Sequence, residues 1–253
     1  MGSTTTLKSR LDRNGGIALW RQVADQIRHQ IAAGAFHERM MLPPETELAT
    51  TMKVNRHTVR SAIAALASEG IVRPVQGVGT LVRQSRKLKL PISRRTRFSD
   101  GVGSQAKASS AALLSWRREM PSDEVCGLMR LKQGTECIVL ETTHMADEVP
   151  ISTATNWFEE SQFSTIPERL RETGSISAAL AACGVADYVR LSTEISATHV
   201  NAEDLARLKL SPGAIILETK AVNADLAGKP IQFARSRFDA GRTSLFISFE
   251  GDA

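Results

Sequence analysis

Two stretches of this chain, 77 residues apart, read almost as one. LMRLKQGTECIVLET (128–142) aligns without a gap on LARLKLSPGAIILET (205–219). Eight of the fifteen positions are identical: Leu128/Leu205, Arg130/Arg207, Leu131/Leu208, Lys132/Lys209, Ile138/Ile215, Leu140/Leu217, Glu141/Glu218 and Thr142/Thr219. Each copy begins helical, turns, and continues as a strand; each then reaches a second strand starting Pro-Ile, at Pro150 and Pro230. Two copies are too few, and the period too long, for a solenoid, so the expected product is one antiparallel sheet with pseudo-twofold symmetry. Chance likeness between two helix–turn–strand units is the competing reading. Other alternating runs, ADYVRLSTEISATHV, PIQFARSRF and SLFISFE among them, add strands. SISAALAACG and NAEDLARLKL read as helices, the second capped by Asn201.

The first third has a different character. Residues 1–97 hold 17 Lys/Arg against 6 Asp/Glu, whereas residues 98–253 hold 15 against 21. A basic third joined to an acidic remainder implies that the first part meets a polyanion and the second does not. Six of the cations crowd into RKLKLPISRRTR (86–97). No apolar run approaches the roughly 18 residues of a membrane span, and MGSTTTLKSRLDRNGG lacks the apolar region of a secretory signal. Gly2 and Thr6 loosely fit a myristoylation pattern, but a disordered start is the simpler reading.

Catalytic and metal motifs are missing. Cys126, Cys137 and Cys183 are odd in number without CxxC spacing, so buried thiols are expected rather than a zinc site, which needs about four convergent ligands. The histidines at 29, 37, 57, 144 and 199 show no HxxxH or HExxH spacing, and there is no GxSxG or P-loop. The expectation is a non-enzyme without cofactor or metal.

Within the basic third, ALWRQVADQIRHQIAAG places Leu19, Val23, Ile27 and Ile31 at helical spacing, with Gly34 as a stop. In LPPETELATTM, Pro44 suits a first turn and Glu45 and Glu47 complement the helix dipole. VNRHTVRSAIAALASEG (54–70) makes a third helix with Val59, Ala62, Ile63 and Leu66 on one face. Arg56, His57 and Arg60 stand opposite, near its start, as either a solvated face or DNA contacts. IVRPVQGVGTLV reads as a hairpin whose glycines permit positive φ. Three short helices and a basic hairpin describe a winged helix-turn-helix, with the third helix start facing the major groove.

LPPETELA followed by VNRHTVRSAIAALASEGIVRPVQGVGTLV resembles the DNA-binding domain of GntR-type bacterial regulators, over nearly all of residues 17–82. Their pattern is LPSExxLA, then VSRxTVRxALxxLxxEGLVxxxxGxGTxV. The resemblance implies that Arg56 and Arg60 reach base edges, Thr58 meets phosphate, and Gly79 and Thr80 form the wing tip. Asn55, His57, Gln76 and Gly77 complete the expected DNA-binding set. Pro44 stands where a Ser would cap helix two; Asn55 stands where a Ser would cap helix three, and caps as well.

A helix-plus-sheet domain after such a head resembles the HutC subfamily, whose effector-sensing UTRA domain has a chorismate lyase-like fold. ISRRTRFSD, ADEVPISTATNWF and PIQFARSRF look most like the subfamily's regulators of phosphonate use. The expected architecture is therefore α+β. It comprises a disordered start (1–16), a winged helix-turn-helix (17–84), a basic linker (85–95) and an effector-binding and dimerisation domain (96–253).

The resemblance implies an effector site from the entry loop (Arg95, Thr96, Arg97, Phe98, Ser99), a strand position (His144) and a helix start (Gly174, Ser175, Ser177), with Arg235 as a further candidate. Each has a plainer reading. Ser175 can simply cap a helix, His144 can be a sheet residue, and Arg235 and Arg237, on one strand face, can pair with surface acids. Trp157 and Phe158 fit core or dimer interface better than ligand stacking, and Arg94 and Arg95 stay undecided between DNA and effector.

His144 in place of the Arg, and Ala154 in place of the acid, of sugar-phosphate-sensing members argue against an amino-sugar phosphate. The implied function is a homodimeric, cytoplasmic repressor that sits on the nucleoid when bound to palindromic operator DNA. A small anionic effector tied to phosphonate or phosphate metabolism would release it. A different organic acid or sugar phosphate is the alternative effector.

Overall fold

The computed structural model describes residues 11, 18–32, 35–36, 40–82, 87–95, 105–106, 108–147, 149–210 and 214–247. The chain divides into two compact units, Met1–Arg86 and Lys87–Ala253. Among the described residues, no helix is long and apolar enough to cross a membrane.

The first unit holds α1 (Leu19–Ala32), α2 (Glu45–Met52) and α3 (Arg56–Ser68), then a hairpin of β1 (Val72–Val75) and β2 (Gly79–Val82). The apolar stripe of α1 meets that of α3: Val23, Ile27 and Ile31 pack with Val59, Ile63 and Leu66, over Leu48 and Met52 from α2. Lys53 ends α2 in the left-handed region, φ 53°. Arg28 clamps α1 to the end of α3 through both oxygens of Glu69, at 2.8 and 2.9 Å. Gln76, Gly77 and Val78 form the wing turn, with Gly77 at φ 74°. Gly79, at φ 132°, lies so near Met41 that a Cβ there would meet its Cε at 2.4 Å.

The second unit holds β3 (Leu88–Pro91), β4 (Ser109–Glu119), α4 (Asp123–Met129), β5 (Cys137–Ala146), β6 (Val149–Glu159), α5 (Glu160–Phe163), α6 (Ile166–Thr173) and α7 (Ile176–Ala182). It continues with β7 (Val189–His199), α8 (Ala202–Leu208), β8 (Ile215–Ala224), β9 (Pro230–Asp239) and β10 (Thr243–Phe246). Six strands make one antiparallel sheet in the order β4-β5-β6-β9-β8-β7; β3 and β10 pair in parallel as a separate ribbon.

The expected duplication is present, but in a different register. Ser122 and Asn201 cap the two equivalent helices, and Arg130 and Lys209 end them in the left-handed conformation, 79 residues apart in both cases. The strand bulges at His144/Met145 and Asn223/Ala224 keep the same spacing. Pro150 and Pro230 are 80 apart, and the pseudo-twofold axis passes between the paired residues Thr155 and Arg235. The identities found at a spacing of 77 therefore sit two residues out of structural register. A slip of two keeps every side chain on its own strand face. In the helices, burial decides the alignment: Met129 and Leu208 are the equivalent buried residues, 2% and 0% exposed.

One sheet face carries Ile138, Leu140 and Phe158 against Phe163, Ile166, Leu170 and Leu180 of α5–α7. The opposite face carries Trp157, Val222 and Phe233 against Val125 and Met129 of α4. Phe158 is thus core, and Trp157 stacks at 5.2 Å on Phe233 while its Nε1 donates to Glu119 at 3.0 Å.

The expected linker at 85–95 needs correction. Residues 83–86 lie outside the described residues, but Leu88–Pro91 form β3, paired along β10 from Thr243↔Leu88 to Phe246↔Pro91. Backbone hydrogen bonds of the second unit claim this segment, despite its charge. The expected disordered start, 1–16, lies outside the described residues except for Leu11, which packs against the first unit's core.

Candidate nucleic-acid interface and effector cavity

The start of α3 is built for display. Asn55 accepts from His57 N at 3.0 Å, which leaves Arg56, His57 and Arg60 exposed on the face opposite Val59 and Ile63. Pro44 begins α2 without a side-chain cap. The next residue, Glu45, reaches both basic side chains, with Oε2 at 3.1 Å from Arg56 Nε and 3.3 Å from Arg60 Nη2. Burial pushes the Glu45 carboxyl up, but hydrogen bonds from Arg60 and Arg56 outweigh it, leaving Glu45 below the usual carboxylate range. Thr58 stands on the same first turn as Arg56; Gln76, Gly77, Gly79 and Thr80 form the tip and start of the returning wing strand. Arg forks, a helix start and Gly-rich backbone on one small unit suit phosphate and base-edge contact.

In the second unit, a cavity of about 180 Å³ lies on the α7-facing side of the sheet. His144, Gly174, Ser175 and Ser177 all line it, so the structure brings together four of the expected effector residues. Gly174 ends α6 at φ 62°, and its carbonyl accepts from Ala111 N on β4. Ser175 caps α7 by accepting from Ala178 N at 3.4 Å, and Ser177 Oγ lies 2.8 Å from the Tyr188 hydroxyl. Burial pushes the His144 imidazole down to about 4, so it is neutral near pH 7.

Thr96, Arg97, Phe98 and Ser99 lie outside the described residues. Arg95 is exposed, pairs with Asp187 at 2.9 Å and does not line the cavity. The neighbouring Arg94 is also exposed, and its carbonyl accepts from Arg190 N at 2.8 Å. Both therefore belong to the second unit's β7 side.

Arg235 is displaced from the expected site. Ala234, Ser236 and Phe238 of β9 face the cavity, so alternation sends Arg235 and Arg237 to the other face. There Arg235 meets Glu218 at 3.0 Å, and Arg237 binds both oxygens of Asp204 at 2.7 and 2.8 Å and also contacts Glu218. Both arginines thus pair with acids, but with the buried Asp204 and Glu218 rather than with surface ones.

The cavity also contains groups the sequence reading passed over. Arg190 and Tyr188 come from β7 and its approach, Asn156, Asn223 and Gln232 from the sheet floor, and Leu90 and Leu245 from the β3–β10 ribbon. Register could have found Asn156, four residues along β6 from Ser152, the strand partner of His144, but Gln232 and Asn223 lie an odd step from the expected Arg235 and from its partner Lys220. Among the described residues, no cluster of three or more His, Cys, Asp or Glu could hold a metal.

A winged helix-turn-helix with a basic recognition helix, followed by a sheet domain with a cavity of mixed polar and apolar lining, defines a class of bacterial transcription regulators. The chain belongs to the UTRA-domain branch of the gntR family: the UTRA domain matches residues 104–244, and the bacterial regulatory proteins of the gntR family match residues 19–82.

An uncharacterized HTH-type transcriptional regulator of Rhizobium meliloti (strain 1021) is 48% identical over 237 residues, 94% of this chain and 97% of that one. The probable transcriptional regulator PhnF of Escherichia coli (strain K12) is 29% identical over 197 residues, 77% and 80% of the two chains. The crystal structure of PhnF from Mycobacterium smegmatis superposes with a TM-score of 0.60 at 21% identity, covering 89% of this chain and 99% of that one, a likeness of fold. The matched proteins are named as transcriptional regulators and not as enzymes.

Proposed function

We propose that this regulator is an operator-specific repressor whose DNA affinity falls when a small anionic effector enters the cavity between the sheet and α7. The observation that carries this reading is the cavity wall. Leu90, Pro91 and Ile92 line it; the first two end β3, the first strand after the DNA-binding unit, and Ile92 follows it. A ligand that favours one position of β3 over another biases the chain leading to the DNA-binding heads, which is the differential affinity that coupling requires.

The protein acts as a homodimer on palindromic half-sites about one helical turn apart, because one small head contacts too few base pairs for useful specificity. Arg56 and Arg60 read base edges; Asn55, His57, Thr58, Gln76, Gly77, Gly79 and Thr80 set the helix and wing on phosphate. Its place is the cytoplasm, on the nucleoid when bound. Likeness to PhnF favours a phosphonate- or phosphate-related effector. His144, neutral where sugar-phosphate sensors carry Arg, keeps another organic acid as the second reading.

Ala221 lines the cavity and is 4% exposed. Ala221→Phe should fill the cavity, abolish effector-induced release of operator DNA and leave operator affinity at the wild-type level by fluorescence anisotropy. Undiminished release in this variant would place the effector elsewhere.

A further inference from the structure

Arg190 differs from the other half-buried or buried arginines of the sensor unit. Arg207 meets Glu141 and Glu203, Arg237 meets Asp204 and Glu218, and Arg242 meets Asp239. Arg190 faces the cavity, and no carboxylate among the described residues reaches it. Its Nε donates to Asn223 Oδ1 at 3.4 Å, while no described residue accepts from either Nη. Desolvation by burial holds its pKa below the usual arginine value. The guanidinium is half-buried beside a neutral amide, which does not supply the opposite charge that an anion in the cavity would.

The amide beside it begins a one-way relay across the cavity floor. Asn223 Nδ2 donates to Gln232 Oε1 at 2.7 Å, and Gln232 Nε2 donates to Asn156 Oδ1 at 2.8 Å. Asn156 Nδ2 donates to Thr142 Oγ1 at 3.3 Å, and Thr142 donates to the Ala154 carbonyl at 3.2 Å. Every amide oxygen therefore faces the Arg190 end. Asn223, Gln232 and Asn156 are 5%, 3% and 3% exposed, so water does not reorient them.

The relay also breaks the pseudo-twofold symmetry. Gln232 and Asn156 correspond to Ser152 and Ser236, which are too short to span the strands, and Arg190 corresponds to Ala111. The cavity thus has one cationic end.

We propose that Arg190 receives the oxyanion of the effector, a small organic carboxylate or phosphonate, and that the Asn223–Gln232–Asn156 relay holds its guanidinium open to that group. This rests on the cavity being the effector site. The remainder of the ligand then lies toward the Ser177–Tyr188 hydroxyl pair and the apolar wall of Leu90 and Leu245. Arg190 is the binding residue; Asn223 and Gln232 are positioning residues.

Calorimetry and thermal shift on the full chain with lactate, methylphosphonate and inorganic phosphate test this, and the probe that binds separates carboxylate from phosphonate chemistry. Arg190→Gln should raise Kd about 30-fold or more, the loss expected when one member of a buried charge pair is removed. Asn223→Asp, an isosteric change, sets a carboxylate against Nε and should weaken binding comparably while leaving the melting temperature at or above wild type. Damage that is merely structural would lower both.

Gln232→Met should raise Kd several-fold in the wild-type background and add nothing to Arg190→Gln, because both act on one interaction. The inference fails if no probe binds the wild type, or if Arg190→Gln and Asn223→Asp keep wild-type affinity. Loss of binding in Ala221→Phe together with retention in Arg190→Gln sinks this assignment alone. Retention in Ala221→Phe sinks the cavity reading as well.

Discussion

Arg60→Ala separates base recognition from phosphate contact. In the free protein Arg60 is half exposed, with a 56% exposed side chain, and its one hydrogen bond is to Glu45 at 3.3 Å. Exposed pairs of this kind are worth roughly 0–1 kcal/mol, and Ala is a better helix former than Arg by a few tenths, so folding is nearly unaffected. Any larger effect on binding then belongs to the DNA. A bidentate Arg–guanine contact is worth about 1–3 kcal/mol, which is about a 5- to 150-fold rise in Kd on the cognate operator. Anisotropy titrations on cognate and shuffled duplexes, across a salt series, read the distinction. A base contact weakens the cognate site selectively and relaxes preference at one position. Equal loss on both duplexes, with the salt slope shallower by about 0.9, would make Arg60 a phosphate contact and refute the base-reading role.

The opposite sheet face offers a stability test. Asp204 is 2% exposed, forms a capping box with Asn201 and holds Arg237 through both oxygens. Asp204→Ala should cost about 3 kcal/mol and lower the melting temperature by on the order of 10 °C, since it leaves a buried cation with Glu218 alone. Burial raises the Asp204 pKa, but Arg237 and the Asn201 amide lower it further, to a net depression. The folded pKa thus lies below the unfolded value of about 3.9, so this contribution is present above that value and lost as pH falls through the folded one. Denaturant titrations between pH 7 and 3 should show the variant lacking that acid-dependent loss. Leu245→Asp, placed in β10 beside Leu90, should loosen the ribbon and blunt effector-induced release more than it weakens operator binding in anisotropy.

The DNA-binding unit was legible because its information is local. Val59, Ala62, Ile63 and Leu66 at helical spacing, Asn55 as a cap and QGVG between two short strands each act within a few residues, and all appear where expected. Glu45 was legible as a helix-dipole residue, but its hold on Arg56 and Arg60, 11 and 15 positions away, needed the turn between α2 and α3. The duplication was visible, yet residue identity set its spacing at 77 where caps and bulges set 79. Identity records composition, whereas register depends on which side chains are buried.

Chain-local chemistry therefore decided the helices, the strands, the basic head and the two-copy plan of the sensor sheet. The cavity was decided by folding. Strand pairing turned Arg235 to the acidic face and set Arg190 inward. It aligned Asn223, Gln232 and Asn156 across three strands, and it drew residues 88–91 out of an apparent linker into a strand whose Leu90 and Pro91 line the cavity. Hydrogen bonds spanning 9 and 76 residues build the amide relay. Such long-range partners leave no periodicity in the sequence, because only closure of the sheet makes them neighbours.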